Sequence, residues 1–195
     1  MRCAVYEKPA SGDWDGFYER GRESRPLDDV KVRTVRELLD RMPGRIAVDL
    51  GCGTGAWTRQ LAELGWDVAG YDYSKAAVEC ARSAGGRAGF AQWDIDCDEA
   101  PLGLVPGTVD LVTCRDTLAF LDMPRLAVDA RRWLRPGTGR LYVMTPADDP
   151  GPEDPYVRGM TADALDRLGA YWDPDQRRHR IDDRHVGILL RAPSS

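Results

Sequence analysis

Short apolar runs alternate with amphipathic stretches of helical spacing along most of this chain, and the alternation predicts its architecture. Strands are expected at residues 45–50, 66–71, 87–93, 109–114 and 139–145. A helix is expected to open at Pro26, where Leu27, Val35, Leu38, Leu39 and Met42 recur on one face and Pro43-Gly44 stops the pattern. Further helices are expected at 54–64, from Ser74 to the Gly85-Gly86 pair, and as two segments, 117–122 and 125–134, divided by Pro124. Near-continuous apolar runs such as Val109-Asp110-Leu111-Val112 suit central strands covered on both faces. Strands alternating with helices of this length imply βαβ units on a parallel sheet.

Both ends depart from that rhythm. The first 26 residues are polar and glycine-punctuated, yet carry Tyr6, Trp14, Phe17 and Tyr18. They read either as a flap over an active site or as a loosely packed arm, set apart from a single domain at 27–195. After Thr145 comes a loop rich in proline and acid, with Asp148, Asp149, Glu153 and Asp154. A short helix is expected from Thr161 to about Gly169. Two strand-like segments, 170–172 and 186–191, follow, joined by a charged run at 173–184.

Composition excludes several functions. The chain has 195 residues, 27 Lys and Arg against 32 Asp and Glu, and a net charge of −5, so nothing favours a general affinity for nucleic acid or anionic membrane. Its five cysteines (Cys3, Cys52, Cys80, Cys97 and Cys114) form no C-x-x-C pair, and only two histidines accompany them. Neither a disulfide framework nor a metal site is indicated, and a reduced, cytoplasmic setting is expected. No apolar stretch has the length of a membrane span.

Candidate chemistry centres on Val48-Asp49-Leu50-Gly51-Cys52-Gly53-Thr54-Gly55-Ala56-Trp57, an apolar strand running through closely spaced glycines into a helix. Such glycines let a ligand lie directly against the main chain at the carboxyl end of the first strand. Gly51-x-Gly53-x-x-Ala56 also satisfies the dinucleotide fingerprint, so an NAD-dependent oxidoreductase is an alternative. Asp49 argues for a cationic ligand, since a carboxylate there offsets a sulfonium or ammonium charge and opposes a pyrophosphate. Gly55 adds a third close approach. Asp72 closes the second strand 21 residues after Gly51, where a carboxylate suits both ribose hydroxyls. Capping the following helix is its competing role, although Ser74 is equally placed for that. Tyr71-x-x-x-Lys75 formally matches a short-chain dehydrogenase pair, but it straddles the second strand rather than a late one.

The glycine stretch resembles the first motif of the class I S-adenosylmethionine-dependent methyltransferases, (V/I)-(L/V)-(D/E)-(L/I/V)-G-C-G-x-G. The resemblance extends from about Leu27 to the end. It implies a Rossmann-like, doubly wound α/β fold with a seven-stranded sheet, mostly parallel, closed by an antiparallel C-terminal β-hairpin. A dinucleotide fold would instead add a further βαβ unit. The implied cofactor is S-adenosyl-L-methionine, with Gly51, Cys52, Gly53 and Gly55 around it and Asp72 on its ribose. The resemblance also puts Tyr73 against adenine, Asp94 on the adenine amine and the Ile95 N–H on the ring. It assigns the Cys114 carbonyl to the methionine ammonium. Tyr18, from the arm, is placed to reach the cofactor carboxylate.

Methyl transfer from a sulfonium needs an aligned nucleophile more than any one residue type, so the substrate half is less legible. Arg115, Asp116, Asp148, Asp149 and His179 occupy segments where such enzymes contact substrate, and Asp148 and His179 are the candidate catalytic groups. His185, beside the apolar run at 186–190, reads as a structural strand residue. The function these readings support is methyl transfer to an oxygen or nitrogen of a small molecule. A non-catalytic nucleoside-binding scaffold is a further alternative. The oligomeric state is not legible.

Overall fold

A computed structural model describes residues 8–23, 25–147, 154–172 and 176–194. Its centre is a seven-stranded sheet: β1 (Ile46–Leu50), β2 (Asp67–Asp72), β3 (Gly89–Gln92), β4 (Leu111–Arg115), β5 (Arg140–Pro146), β6 (Arg177–Arg180) and β7 (His185–Arg191). The strand order is β3-β2-β1-β4-β5-β7-β6. β1 to β5 run parallel, and β7 inserts antiparallel between β5 and β6. The last strand therefore sits where the methyltransferase resemblance puts it.

Alternating side chains divide the core into two layers. Val48, Leu50, Val112, Cys114, Leu141, Val143, Ile188 and Leu190 pack with α5 (Met123–Trp133) and α6 (Ala162–Gly169). Ala47, Leu111, Tyr142, Met144 and Leu189 face the other way, onto α2 (Asp29–Leu39) and α3 (Ala56–Glu63). Both faces are covered, which is why these strands read as unbroken apolar runs.

Three expectations are corrected. The helix expected at Pro26 begins at Asp29, because Asp28 caps it by accepting the Lys31 N–H at 2.9 Å. Pro124 does not divide two helices. It lies in the first turn of α5, where its missing N–H costs nothing, and only a 3-10 turn, Leu118–Phe120, precedes it. Residues 170–172 are not a strand, since Ala170 caps α6 and Trp172 turns into the core. The strand lies instead at Arg177–Arg180, inside the charged run, as the outer edge of the sheet where polar side chains face water. The arm, for which a flap and a loosely packed extension were both open, contains a helix: α1 spans Ser11–Glu19 and docks on α4 (Lys75–Ser83). Asp15 fixes it there by accepting from Ser74 Oγ at 2.6 Å and from the Ala76 N–H at 3.0 Å.

Candidate functional site

The order of strands reverses between β1 and β4, and open α/β sheets bind ligands at the carboxyl ends of strands at such a point. A cavity of about 630 Å³ lies there, within the size range of small-molecule sites. α1 and the segment around Tyr156 roof it.

Gly51 opens the glycine turn and lines the cavity, whereas Cys52, Gly53 and Gly55 lie behind it. Gly51, Gly53 and Gly55 all adopt positive φ (66°, 53° and 81°). A Cβ on Gly51 would collide with Thr117, and one on Gly53 would stand 2.9 Å from the Tyr18 hydroxyl. The turn is pinned to β2 because the Gly51 and Cys52 N–H groups both donate to the Tyr71 carbonyl, at 2.8 and 3.0 Å. Cys52 is a packing residue whose side chain presses on Gly70, and burial pushes its thiol well up, away from nucleophilic chemistry.

Asp72 is only 6% exposed and lines the cavity at the end of β2. Its Oδ2 accepts the Gly53 N–H at 2.8 Å and its Oδ1 accepts the Ser74 N–H at 2.9 Å. Ser74, accepting from the Ala77 N–H, caps α4, so Asp72 is left free of that duty. Burial first, against the two N–H bonds, pushes the Asp72 carboxyl up to about 6. Tyr73, Asp94 and Ile95 line the same wall. The Tyr73 hydroxyl donates to the Pro9 carbonyl at 2.7 Å, and Lys8 stands 4.7 Å over its ring. Tyr18 projects into the cavity from α1, its phenol held protonated by burial and by Asp72.

Two expected residues contribute less directly. Asp49 is 1% exposed and lies beneath the turn, accepting from Thr58 Oγ1 at 2.6 Å rather than lining the cavity. A carboxylate there reaches a ligand through space only. Cys114 is fully buried with its side chain in the α5 layer, and its successors Arg115 and Asp116 reach the cavity.

The opposite wall changes the list of candidate bases. His179 is elsewhere: its ring stacks on Tyr142 with centroids 5.8 Å apart, and its Nε2 is 3.1 Å from the Tyr142 hydroxyl. It fills the space above Gly187 and does not line the cavity. Asp148 lies outside the described residues. The histidine that does line the cavity is His185, with Arg115 and Asp116 beside it. Its position at the start of a buried strand gave it the look of a structural residue. Trp14, Phe120 and Tyr156 form an aromatic cluster over this wall, with Trp14 5.3 Å from Phe120 and 5.0 Å from Tyr156.

The cavity is short of partners. Trp14 Nε1, Trp93 Nε1, Arg115 Nη1 and Asp116 Oδ1 are buried without a hydrogen bond among the described residues, and all four residues line it. Buried polar atoms left unpaired cost about 1–3 kcal/mol each, so the cavity favours a polar ligand. Two acids on one wall, a glycine turn and unpaired donors fit a nucleoside with a zwitterionic tail. Among the described residues no cluster of metal ligands occurs, and no helix is long and apolar enough to cross a membrane.

The comparisons agree with this geometry. A methyltransferase domain family matches residues 48–143. Over that span, just under half of its length, the chain carries a methyltransferase domain. A ubiquinone biosynthesis O-methyltransferase of Cupriavidus pinatubonensis is 32% identical over 133 residues, which are 66% of this chain and 53% of that relative. The chain thus spans about half the length of that curated methyltransferase. A solved structure from work on the conversion of a disulfide bond into a thioacetal group during echinomycin biosynthesis superposes with a TM-score of 0.70 at 21% identity, covering 95% of this chain and 94% of that one. An S-adenosylmethionine-dependent methyltransferase from Mesorhizobium loti gives 0.61 at 21% identity, covering 82% and 96%. These two likenesses are of fold.

Proposed function

We propose that this methyltransferase chain binds S-adenosyl-L-methionine and transfers its methyl group to an oxygen or nitrogen of a small molecule. The observation that carries the reading is a single cavity with two unlike walls. On one wall stand Gly51, Asp72, Tyr73, Asp94 and Ile95. On the other stand ionisable Asp116 and His185 under an aromatic roof. Asp72 would hold the ribose, its two oxygens each keeping acceptor capacity beyond their one N–H. Tyr73 and Ile95 would flank adenine, and Asp94 would take its amine. The turn at Gly51, Cys52, Gly53 and Gly55, with Tyr18 and the Cys114 carbonyl, would hold the methionine end.

Bound S-adenosylmethionine supplies a methyl on a positively charged sulfur with a neutral leaving group. The chain's own residues orient the acceptor and exclude water beneath α1. Between oxygen and nitrogen, the name of the Cupriavidus relative favours oxygen. The chain carries no basic surplus for nucleic acid, and its setting is proposed to be cytoplasmic.

Titration calorimetry with S-adenosylhomocysteine and with NADH tests the cofactor assignment. Binding of the first alone is expected, whereas NADH binding with no response to S-adenosylhomocysteine would overturn it.

A further inference from the structure

A line of ionisable groups drawn from four separate segments ends in the cavity. Lys31 Nζ of α2 lies 2.8 Å from Asp182 Oδ2. Asp182, in the turn before β7, has its Oδ1 3.1 Å from His185 Nδ1 and also accepts the His185 and Arg184 N–H groups at 2.7 and 2.8 Å. His185 Nε2 lies 3.5 Å from Asp116 Oδ1, beyond a good hydrogen bond, and that Oδ1 is one of the unpaired buried atoms. Asp116 in turn has Arg115 Nε 3.4 Å from its Oδ2.

Two features set this line apart from an ordinary ion pair. Asp116 is the one non-glycine residue with positive φ among those described, at 57°, a conformation that costs energy and gathers at functional sites. An ionised carboxylate can only accept, so Asp182 requires a proton on Nδ1 and leaves Nε2 of neutral His185 unprotonated, beside Asp116 on the cavity wall that both residues line.

We propose that His185 Nε2 is the general base that takes the proton of an aromatic hydroxyl acceptor, with Asp116 and Asp182 as its positioning residues. The inference rests on the methyltransferase reading above. As the acceptor oxygen bonds to the methyl carbon, the C–S bond breaks with its electron pair passing to sulfur. The hydroxyl proton moves to Nε2, giving an imidazolium flanked by two carboxylates, which then yields the proton to water. The flanking carboxylates, Asp116 foremost, raise the His185 pKa against the effect of burial. Phe120, Tyr156 and Trp14 supply rings against which an aromatic acceptor can lie.

The decisive experiment compares phenol with 4-nitrophenol as millimolar acceptors at about pH 8, where the nitro compound is largely ionised and needs no base. His185→Gln should lower kcat on phenol by about 10²–10⁴-fold, the range for general-base catalysis, and on 4-nitrophenol by less than about tenfold. In the wild type, kcat on phenol should rise with pH through a group titrating above the usual histidine value. Asp116→Asn and Asp182→Asn should each move that inflection down. Equal losses on both acceptors in a variant that still binds S-adenosylhomocysteine would overturn the base and leave a structural His185. A wild type that binds S-adenosylhomocysteine but methylates neither phenol would overturn the acceptor and base together, leaving the cofactor reading intact. Failure of the wild type to bind S-adenosylhomocysteine would instead sink the reading beneath.

Discussion

Asp49→Asn should stabilise the ligand-free protein most at alkaline pH while weakening its hold on S-adenosylmethionine. Burial raises the Asp49 carboxyl from 3.8 to about 7, outweighing the Thr58 hydrogen bond and the Arg115 charge that pull it down. An acid whose folded pKa lies above its unfolded value keeps its proton more tightly when folded. Its contribution to stability therefore falls as pH climbs from 3.8 towards 7 and is flat beyond. At about 1.4 kcal/mol per pH unit, the penalty is about 2 kcal/mol at about pH 5.5 and about 4 kcal/mol at about pH 8. Asparagine keeps an oxygen for the Thr58 hydroxyl and cannot ionise. The gain in the variant should thus be about 2 kcal/mol larger at the higher pH, or about 4–8 °C in Tm for a chain of this size. Differential scanning calorimetry at the two pH values reads this directly. Because Asp49 acts through the turn and not by contact, the variant should lose more affinity for S-adenosylmethionine, with its sulfonium, than for S-adenosylhomocysteine. An identical Tm shift at both pH values would show that the carboxyl carries no burial penalty, and equal losses on the two ligands would show that it does not sense the sulfonium.

Asp72→Ala should weaken S-adenosylhomocysteine binding by about 1.5–3 kcal/mol, the scale of hydrogen bonds to a charged group. Calorimetry on a variant with unchanged circular dichroism checks it, and unaltered affinity would move the ribose site elsewhere. Gly51→Ala should abolish cofactor binding and lower Tm, because the new Cβ meets Thr117 at a φ of 66°; a stable variant with normal affinity would show that the turn yields. His179→Ala should leave affinity and turnover unchanged, since the imidazole it removes stacks on Tyr142 outside the cavity. Loss of turnover with affinity kept would return His179 to the site. Hydrogen exchange in residues 11–19 should slow when S-adenosylhomocysteine is added, and deleting residues 1–22 should reduce affinity and turnover; no change in either would make α1 a passive extension.

The fold was legible where one physical signal dominated. β1, β4 and β5 are buried on both faces, so their apolar runs stand out, and glycine or a capping residue marks the ends of α3 and α4. β6 was not, because an edge strand needs no apolar side and this one reads Arg-Arg-His-Arg. α1 was not either. Its sequence, Ser-Gly-Asp-Trp-Asp-Gly-Phe-Tyr-Glu, carries two glycines and little helical patterning, and its stability comes from contacts beyond itself. Asp15 is bonded to the start of α4, and Trp14 and Phe17 pack on Tyr156, some 140 residues away in sequence.

The same distinction separates the two walls of the cavity. Gly51, Asp72 and Asp94 each stand at or just past the end of a strand that the sequence marks plainly, and all three line the cavity. Position along the chain therefore stands in for position in space, and the cofactor wall can be read from spacing. Nothing comparable holds for Asp116, Asp182, His185 and Lys31, which come from the loop after β4, the turn before β7, β7 itself and α2. The antiparallel insertion of β7 beside β5 puts His185 opposite Pro146, at the carboxyl end of the parallel strands. A shift of that pairing by one residue would turn the imidazole to the other face of the sheet. His185 thus owes its place to the hairpin register, which also sends Ile188 and Leu190 to one face of the sheet and Leu189 to the other. A histidine at the head of an apolar run looks structural for as long as that register is unknown, and becomes a cavity residue once the register is known.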